Sequence, residues 1–458
     1  MDNKKKKFKI WGPSRVIPLS FIAAITIGTL LLLLPFSTAA GETTDFLTAL
    51  FTATTSVCVT GLVVVDTYAH WSLIGKIIIL CLIQIGGLGI VTVMAAFMLS
   101  MKKRFSLTAQ LILQDTFNLN SLKGLLHFLG LALNWTVLVE FIGALLYMPA
   151  FIPRFGIGEG IWQSFFTSIS AFCNAGIDIM GPDSLISYQS NPLVLLNTCF
   201  LIVTGGIGYF VLIDMHDSLI GGLRKKFDLK TTVSRFSVHT KLVLSATFFL
   251  IFGGALIIFL CEYSNPGTIG NMSLGDKILN SIFQSVTFRT AGFASVPQNM
   301  LRSSTALLGC VMMFVGGSPV GTAGGVKTVV LAVVIMNAVS YIRSVDETVL
   351  FNRRVNKELI RRANAIVVVA LMGVIVHLFA LLCVTDVDLL DGLYEVVSAI
   401  CTVGLSRNLT AALNSAGRIV IIVCMYLGRI GPISMAIFFR KPNNEHHISR
   451  AEGKFIVG

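Results

Sequence analysis

Apolar residues in this chain run in long unbroken stretches, without the sparse spacing of a water-facing helix or the alternation of a half-buried strand. Eight such stretches, at 16–36, 73–99, 125–151, 193–213, 242–260, 305–336, 365–385 and 417–439, come close to the roughly 20 residues a helix needs to cross a bilayer core. The pattern predicts eight transmembrane helices. The sixth stretch is interrupted near its centre, with Gly316, Gly317, Pro319, Gly321, Gly324 and Gly325 inside ten residues. Glycine costs a helix interior about 1 kcal/mol and proline about 3, so this segment is expected to unwind.

Between the two members of each consecutive pair lies a shorter, half-polar segment that ends in glycine. LFTATTSVCVTG ends at Gly61, FFTSISAFCNAG at Gly176, IFQSVTFRTAG at Gly292 and LYEVVSAICTVG at Gly404, so the glycines fall 115, 116 and 112 residues apart. Each segment opens on an aromatic residue (Phe51, Phe166, Phe283, Tyr394) and carries a hydroxyl near its end (Thr55, Ser170, Thr287, Ser398), the third copy being one residue shorter. A further glycine follows in the next span at Gly86, Gly205, Gly316 and Gly428. A recurring period fixes architecture. The expected fold is an all-α polytopic membrane protein of four tandem span, pore helix, span repeats around a central pore. The repeats occupy 16–101, 125–215, 238–342 and 362–440, flanked by segments 1–15 and 441–458.

Composition agrees with a membrane protein. Of the 458 residues, 54% are hydrophobic and 13% charged, against about 25% charged in an average soluble domain, and mean hydropathy is +0.81. The formal charge of +12 is largely a matter of sidedness, because 26 of the 35 Lys and Arg lie on one alternate set of inter-span segments. By the positive-inside rule that set, with both termini, is cytoplasmic. No soluble basic domain exists to carry nucleic-acid binding. Lys4 to Lys7, an apolar run and Ser37-Thr38-Ala39-Ala40 imitate a secretory signal, but the run is too long and cleavage would leave an odd number of spans. The nine cysteines have no C-x-x-C spacing and read as small hydrophobes.

A segment of about a dozen residues cannot cross a bilayer, and non-helical backbone at membrane depth survives only when buried in protein or lining water. Four such segments therefore call for one shared aqueous centre. Dehydrating a monovalent cation requires oxygens that replace its water, and rings of backbone carbonyls supply them. Val59, Thr60 and Gly61, Asn174, Ala175 and Gly176, Thr290, Ala291 and Gly292, and Thr402, Val403 and Gly404 are the expected carriers of that ring. Pore helices aiming their carboxyl ends at the centre would favour cations there.

These motifs resemble, over almost the whole chain, the membrane subunits of the Trk/Ktr/HKT potassium transporter superfamily, and most of all those of bacterial Ktr uptake systems. CTVGL at 401–405 and VCVTGL at 57–62 are the nearest to the family pattern, while FRTAGF and FCNAGI depart from it. The resemblance implies that Gly61, Gly176, Gly292 and Gly404 mark a selectivity filter, which should be asymmetric, and that glycine in the first repeat goes with a preference for potassium. It further implies an intramembrane gating loop at 315–326, built by Gly316, Gly317, Ser318, Gly321, Thr322, Gly324 and Gly325. A notch for close helix packing is the alternative reading of that glycine run. Arg429, inside the last span, is implied to stand beneath the filter against the loop, with snorkelling toward the membrane edge as the alternative. A homodimer on a cytosolic ring of RCK-type nucleotide-binding subunits (KtrA-like) is also implied, as is sodium as an activator. The chain itself calls for no cofactor beyond the transported K+.

Other residues stay unassigned. Asp66 and Asp178 follow filter glycines and read as solvated acids at the outer mouth. Glu140 and Glu395 sit among apolar neighbours, Glu395 at a pore-helix position held by Thr52, Thr167 and Gln284 in the other repeats. Lys327 has no clear role. No H-E-x-x-H, G-x-S-x-G or G-x-G-x-x-G occurs, which argues against an enzyme. The remaining rival is a secondary transporter with broken helices, whose usual signature is two corresponding halves and not four units.

Overall fold

The computed structural model describes residues 13–41, 43–89, 125–224 and 228–431. The first twelve residues, 90–124 with the basic Lys102 to Arg104 and Lys123, and the tail from 432 lie outside the described residues, as do the distal parts of the second and eighth predicted spans.

The chain is built of helices, in an order that repeats four times. In the first unit α1 (Pro13–Leu32) is followed by α2 (Phe46–Cys58), the short α3 (Thr67–His70) and α4 (Leu73–Leu88). The second comprises α5 (Leu125–Phe155), α6 (Ile157–Phe172), α7 (Pro192–Gly206) and α8 (Tyr209–Arg224), and α9 (Leu229–Ser234) leads out of it. The third comprises α10 (Val238–Glu262), α11 (Leu274–Thr287), α12 (Ser303–Phe314) and α13 (Thr328–Ile342). A two-stranded antiparallel hairpin, β1 (Val349–Leu350) with β2 (Arg353–Arg354), leads to the fourth: α14 (Lys357–Val384), α15 (Leu389–Ile400) and α16 (Ser415–Ile430).

The short central helices α2, α6, α11 and α15 start on residues suited to the task. Asp45, Ser273 and Asp388 accept hydrogen bonds from first-turn amides, satisfying donors that the helix leaves open, while Gly156 stands at the start of α6. Their leading aromatics Phe51, Phe166, Phe283 and Tyr394 are fully buried. Each central helix packs within its own unit and also against the helix that follows the glycine segment of the preceding unit, the short α3 aside: α4 on α6, α7 on α11, α12 on α15 and, closing the circle, α16 on α2. The four units thus form a closed ring with the central helices inside.

Among the described residues α5, α10 and α14 are long and apolar enough to cross a bilayer, and α7 with α8 form a bent pair that passes the same test. Here the structure departs from the sequence expectation of an unbroken helix over 193–213. The chain turns by 97° between Gly206 and Tyr209. Gly208 takes φ +93°, and a side chain there would collide with the Pro319 carbonyl oxygen. The turn therefore makes room for the broken sixth stretch, which reaches Tyr209 through a 3.0 Å hydrogen bond from its amide to the Val320 carbonyl.

Candidate functional site

The glycine segments meet at one point. At each, the residue two before the glycine adopts a left-handed backbone: Val59 (φ 55°), Asn174 (58°), Thr290 (67°) and Thr402 (51°). The glycines follow at φ 97°, 66°, 86° and 95°. Left-handed φ is disfavoured for L residues by roughly 1–2 kcal/mol, and a β-branched side chain makes it rarer still, so four at one register mark an imposed geometry. Strain of this kind persists where the surroundings over-determine it.

The surroundings are visible in what a side chain on each glycine would strike. A Cβ on Gly61 would collide with the Ala175 oxygen, on Gly176 it would lie 2.6 Å from the Ala291 oxygen, on Gly292 2.6 Å from the Val403 oxygen, and on Gly404 it would collide with the Thr60 oxygen. Each glycine faces the carbonyl just before the glycine of the next repeat, and the fourth faces the first. The circle closes. Only glycine fits such an approach, for steric as well as conformational reasons.

Helix ends and hydroxyls hold the ring in place. The amides of Thr60, Ala175 and Val403 close on carbonyls five residues back, each at 2.8 Å, whereas Ala291 closes on Thr287, four back, at 3.0 Å. This absorbs the missing residue of the third copy. Thr55 Oγ1 accepts from the Gly61 amide at 3.0 Å and Ser398 Oγ from the Gly404 amide at 3.1 Å. Ser170 and Thr287 instead donate to the carbonyls of Ile177 (2.5 Å) and Phe293 (2.6 Å), just beyond their glycines. The ring has a two-and-two pattern of support. The hydroxyls of Thr60, Thr290 and Thr402 are buried with no hydrogen-bond partner among the described residues. A cavity of about 400 Å³ opens on one side of the ring, reached by all four glycines and by Asp66, Asp178 and Asp183.

Of the first two acids, Asp66 keeps the solvated reading and Asp178 departs from it. Asp66 caps α3 by accepting from the Tyr68 amide at 2.8 Å. Asp178 is half-buried and accepts from Ser184 Oγ at 2.6 Å and the Met180 amide at 3.2 Å, while Ser184 Oγ lies 3.4 Å from the Ala294 amide. Both acids shape the cavity wall as well as charging it.

On the other side of the ring runs the irregular segment between α12 and α13. It folds back on itself, with the Gly316 amide on the Val326 carbonyl and the Val326 amide on the Phe314 carbonyl, both at 3.0 Å. Ser318 and Thr322 donate their amides to Gly206 (2.9 Å) and Gly205 (3.1 Å) at the end of α7, and Thr322 Oγ1 donates to the Phe172 carbonyl at 3.0 Å. A Cβ on Gly321 would stand 3.0 Å from the Gly205 oxygen, and one on Gly324 would stand 2.6 Å from the Cys401 oxygen. The segment is therefore wedged under the second and fourth parts of the ring, and Gly325 turns it back at φ 65°. Gly317 lies against Ala323 and Gly206.

Arg429 points inward. Its guanidinium donates to the Thr322 carbonyl at 2.7 Å and the Gly86 carbonyl at 2.5 Å, joining the irregular segment to the end of α4. Lys327 turns onto the segment as well, donating to the Ala323 carbonyl at 2.6 Å. The span glycines fill a related role, since a Cβ on Gly86, Gly205 or Gly428 would strike the carbonyl of Val57, Phe172 or Ile400, each four residues before a ring glycine. Gly316 breaks that pattern and meets Gly324 instead, because the third repeat gives up its helix there to form the wedge.

Sequence reasoning missed one residue. Three places before the ring glycine stand Cys58, Cys173 and Cys401 in three repeats but Arg289 in the third, where it is buried with an unpartnered Nε. Aligning the four segments by their glycines is the signal that exposes it.

The family model described as TrkH, cation transport protein, matches residues 2–449. The chain is 36% identical over 456 residues to the Ktr system potassium uptake protein B of Bacillus subtilis, covering 100% of this chain and 99% of that one. It is 34% identical over 432 residues to the potassium/sodium uptake protein NtpJ of Enterococcus hirae, covering 93% of each. A crystal structure of the potassium transporter TrkH from Vibrio parahaemolyticus superposes with a TM-score of 0.74 over 96% of this chain and 88% of that one, at 15% identity, which speaks to fold. By a match that spans nearly all its length, the chain belongs to the TrkH family of cation transport proteins.

Proposed function

We propose that the chain takes up potassium across a bacterial cell membrane through eight spans arranged as four span, pore helix, span units, with both termini in the cytoplasm. The observation that carries this reading is the closed circle in which each left-handed glycine abuts the carbonyl preceding the next. Residues 59–61, 174–176, 290–292 and 402–404 form the filter, and their carbonyls replace the hydration shell of K+. The names of the Bacillus and Enterococcus relatives, which print potassium and potassium/sodium uptake, support the choice of ion. The carboxyl ends of α2, α6, α11 and α15 add a negative field at the centre.

The segment 315–326 is the gate. It lies on the axis beneath the filter, tethered to α7 by Ser318 and Thr322 and to α4 through Arg429. Opening requires those bonds to be exchanged, so an input that shifts α7, α4 or α16 can reach the pore. The Bacillus relative is named as part of a Ktr system, which supports partner subunits. We read the assembly as a homodimer on a cytosolic RCK-type nucleotide-binding ring, with Na+ as an activator.

Uptake of K+, Rb+ and Na+ into proteoliposomes is the test. Enlarging Gly61, Gly176, Gly292 or Gly404 should depress flux or erase the preference for K+, and unchanged flux in all four variants would transfer the case to a broken-helix secondary transporter. Shortening 316–325 should raise basal flux. No rise would leave the glycine run as a packing notch.

A further inference from the structure

We propose that Glu395 is a positioning residue of the fourth filter segment and sets the discrimination between K+ and Na+ by pinning the extended segment that leaves Gly404. The inference rests on the filter reading above and adds to it a specificity determinant that does not touch the ion.

Glu395 is fully buried on α15, at a position where the other repeats carry the neutral Thr52, Thr167 and Gln284. A carboxylate taken out of water is retained only where hydrogen bonds replace its hydration. Both oxygens find them on one short stretch of chain. One accepts from Ser406 Oγ at 2.7 Å and the other from Thr410 Oγ1. Ser406 Oγ in turn accepts the amides of Leu409 (3.1 Å) and Thr410 (3.3 Å). The carboxylate thereby ties the pore helix to the irregular segment two residues beyond the filter glycine and to the turn after it. At the rim, Asp391 of the same helix holds Arg407 at 2.9 Å.

The third repeat has an equivalent tie made from amides. Gln284 Nε2 donates to Gln298 Oε1 at 2.7 Å and Gln298 Nε2 to Gln284 Oε1 at 3.1 Å. Tyr394, the neighbour of Glu395, donates its hydroxyl to the same Gln298 oxygen at 3.0 Å, so the two ties are joined. In the first repeat Thr52 turns back to the Thr48 carbonyl of its own helix, and in the second the Thr167 hydroxyl has no partner among the described residues. The third and fourth parts of the ring are thus clamped to their pore helices by side chains at this position, and the first two are not.

Carbonyls held apart bind the larger ion. To favour Na+ the ring must contract, and a segment pinned on both sides of its turn resists contraction more than a free one. Both Glu395 oxygens are occupied by hydroxyls, so its effect passes through backbone position and not through contact with the ion.

The experiment compares wild type with Glu395→Leu and Glu395→Gln in proteoliposomes, reading K+ and Na+ flux separately. Glutamine accepts one hydroxyl and donates to the other, so it should keep the K+/Na+ ratio within about twofold, while leucine should lower that ratio by about tenfold with K+ flux still measurable. An unchanged ratio in Glu395→Leu, or an equal loss in Glu395→Gln, overturns the proposal. Should Glu395→Leu fail to reach the membrane, Thr410→Val decides, a fall in the ratio supporting the clamp and an unchanged ratio refuting it. A wild-type protein that passes both ions equally would sink the filter reading and the clamp together, whereas a selective wild type with an indifferent Glu395→Leu sinks the clamp alone.

Discussion

Gly176→Ala puts the ring geometry to its most direct test. The residue sits at φ 66°, where an L side chain adds roughly 1–2 kcal/mol of backbone strain. The new methyl would lie 2.6 Å from the Ala291 oxygen and 2.6 Å from the Gly292 Cα, against an ordinary closest C···O approach of about 3.3 Å. One backbone must yield by about 0.7 Å, beyond the roughly 0.5 Å that a binding constellation tolerates. Overpacking adds about 1–3 kcal/mol, so the total of about 2–5 kcal/mol stays within the roughly 5–15 kcal/mol that a typical domain has in hand. The variant should therefore insert and purify normally while its K+ flux in proteoliposomes drops by at least about tenfold. Gly253→Ala is the matched control. It lies inside α10 with nothing within 4 Å of the added methyl, so flux should stay level and the helix should gain about 0.5–1 kcal/mol. Equal flux in Gly176→Ala and Gly253→Ala would show that the four glycines do not enclose the ion path.

Removing the guanidinium in Arg429→Met deletes charge-assisted bonds to Thr322 and Gly86, each of order 1.5–3 kcal/mol, and basal K+ flux should rise about tenfold or more. Flux measured without any stimulus checks it, and a fall would mean that the arginine supports conduction. Thr55→Val leaves the buried Gly61 amide without its acceptor, and should weaken K+ over Na+ preference by about tenfold, whereas Thr55→Ser, which keeps the hydroxyl, should not. Competition between the two ions in uptake separates these outcomes. Gly208→Ala drives a methyl into the Pro319 carbonyl and opposes the bend between α7 and α8, so it should displace segment 315–326 and change basal flux while K+ over Na+ preference is kept. Lost preference with unchanged basal flux would contradict that assignment.

Internal repetition makes most of this legible in the sequence itself. The spacing of Gly61, Gly176, Gly292 and Gly404, the hydroxyl near each helix end and the glycine run at 316–325 locate the ring and its wedge, because backbone that must touch other backbone leaves glycine as its trace. What the side chains hold across the ring left no such trace. The bend at Gly208 exists only because the third repeat's loop occupies the space in front of it, a contact between residues more than a hundred positions apart. Arg429 could equally have snorkelled outward from its helix, and its inward course depends on where the Gly86 and Thr322 carbonyls arrive. Asp178, which reads as one more solvated acid, meets Ser184 through a turn whose path the sequence does not specify. Glu395 is visible in the sequence as a buried charge, but its partners are not. Local spacing constrains each segment separately, and hydrogen bonds between segments are decided by the packing that brings them together.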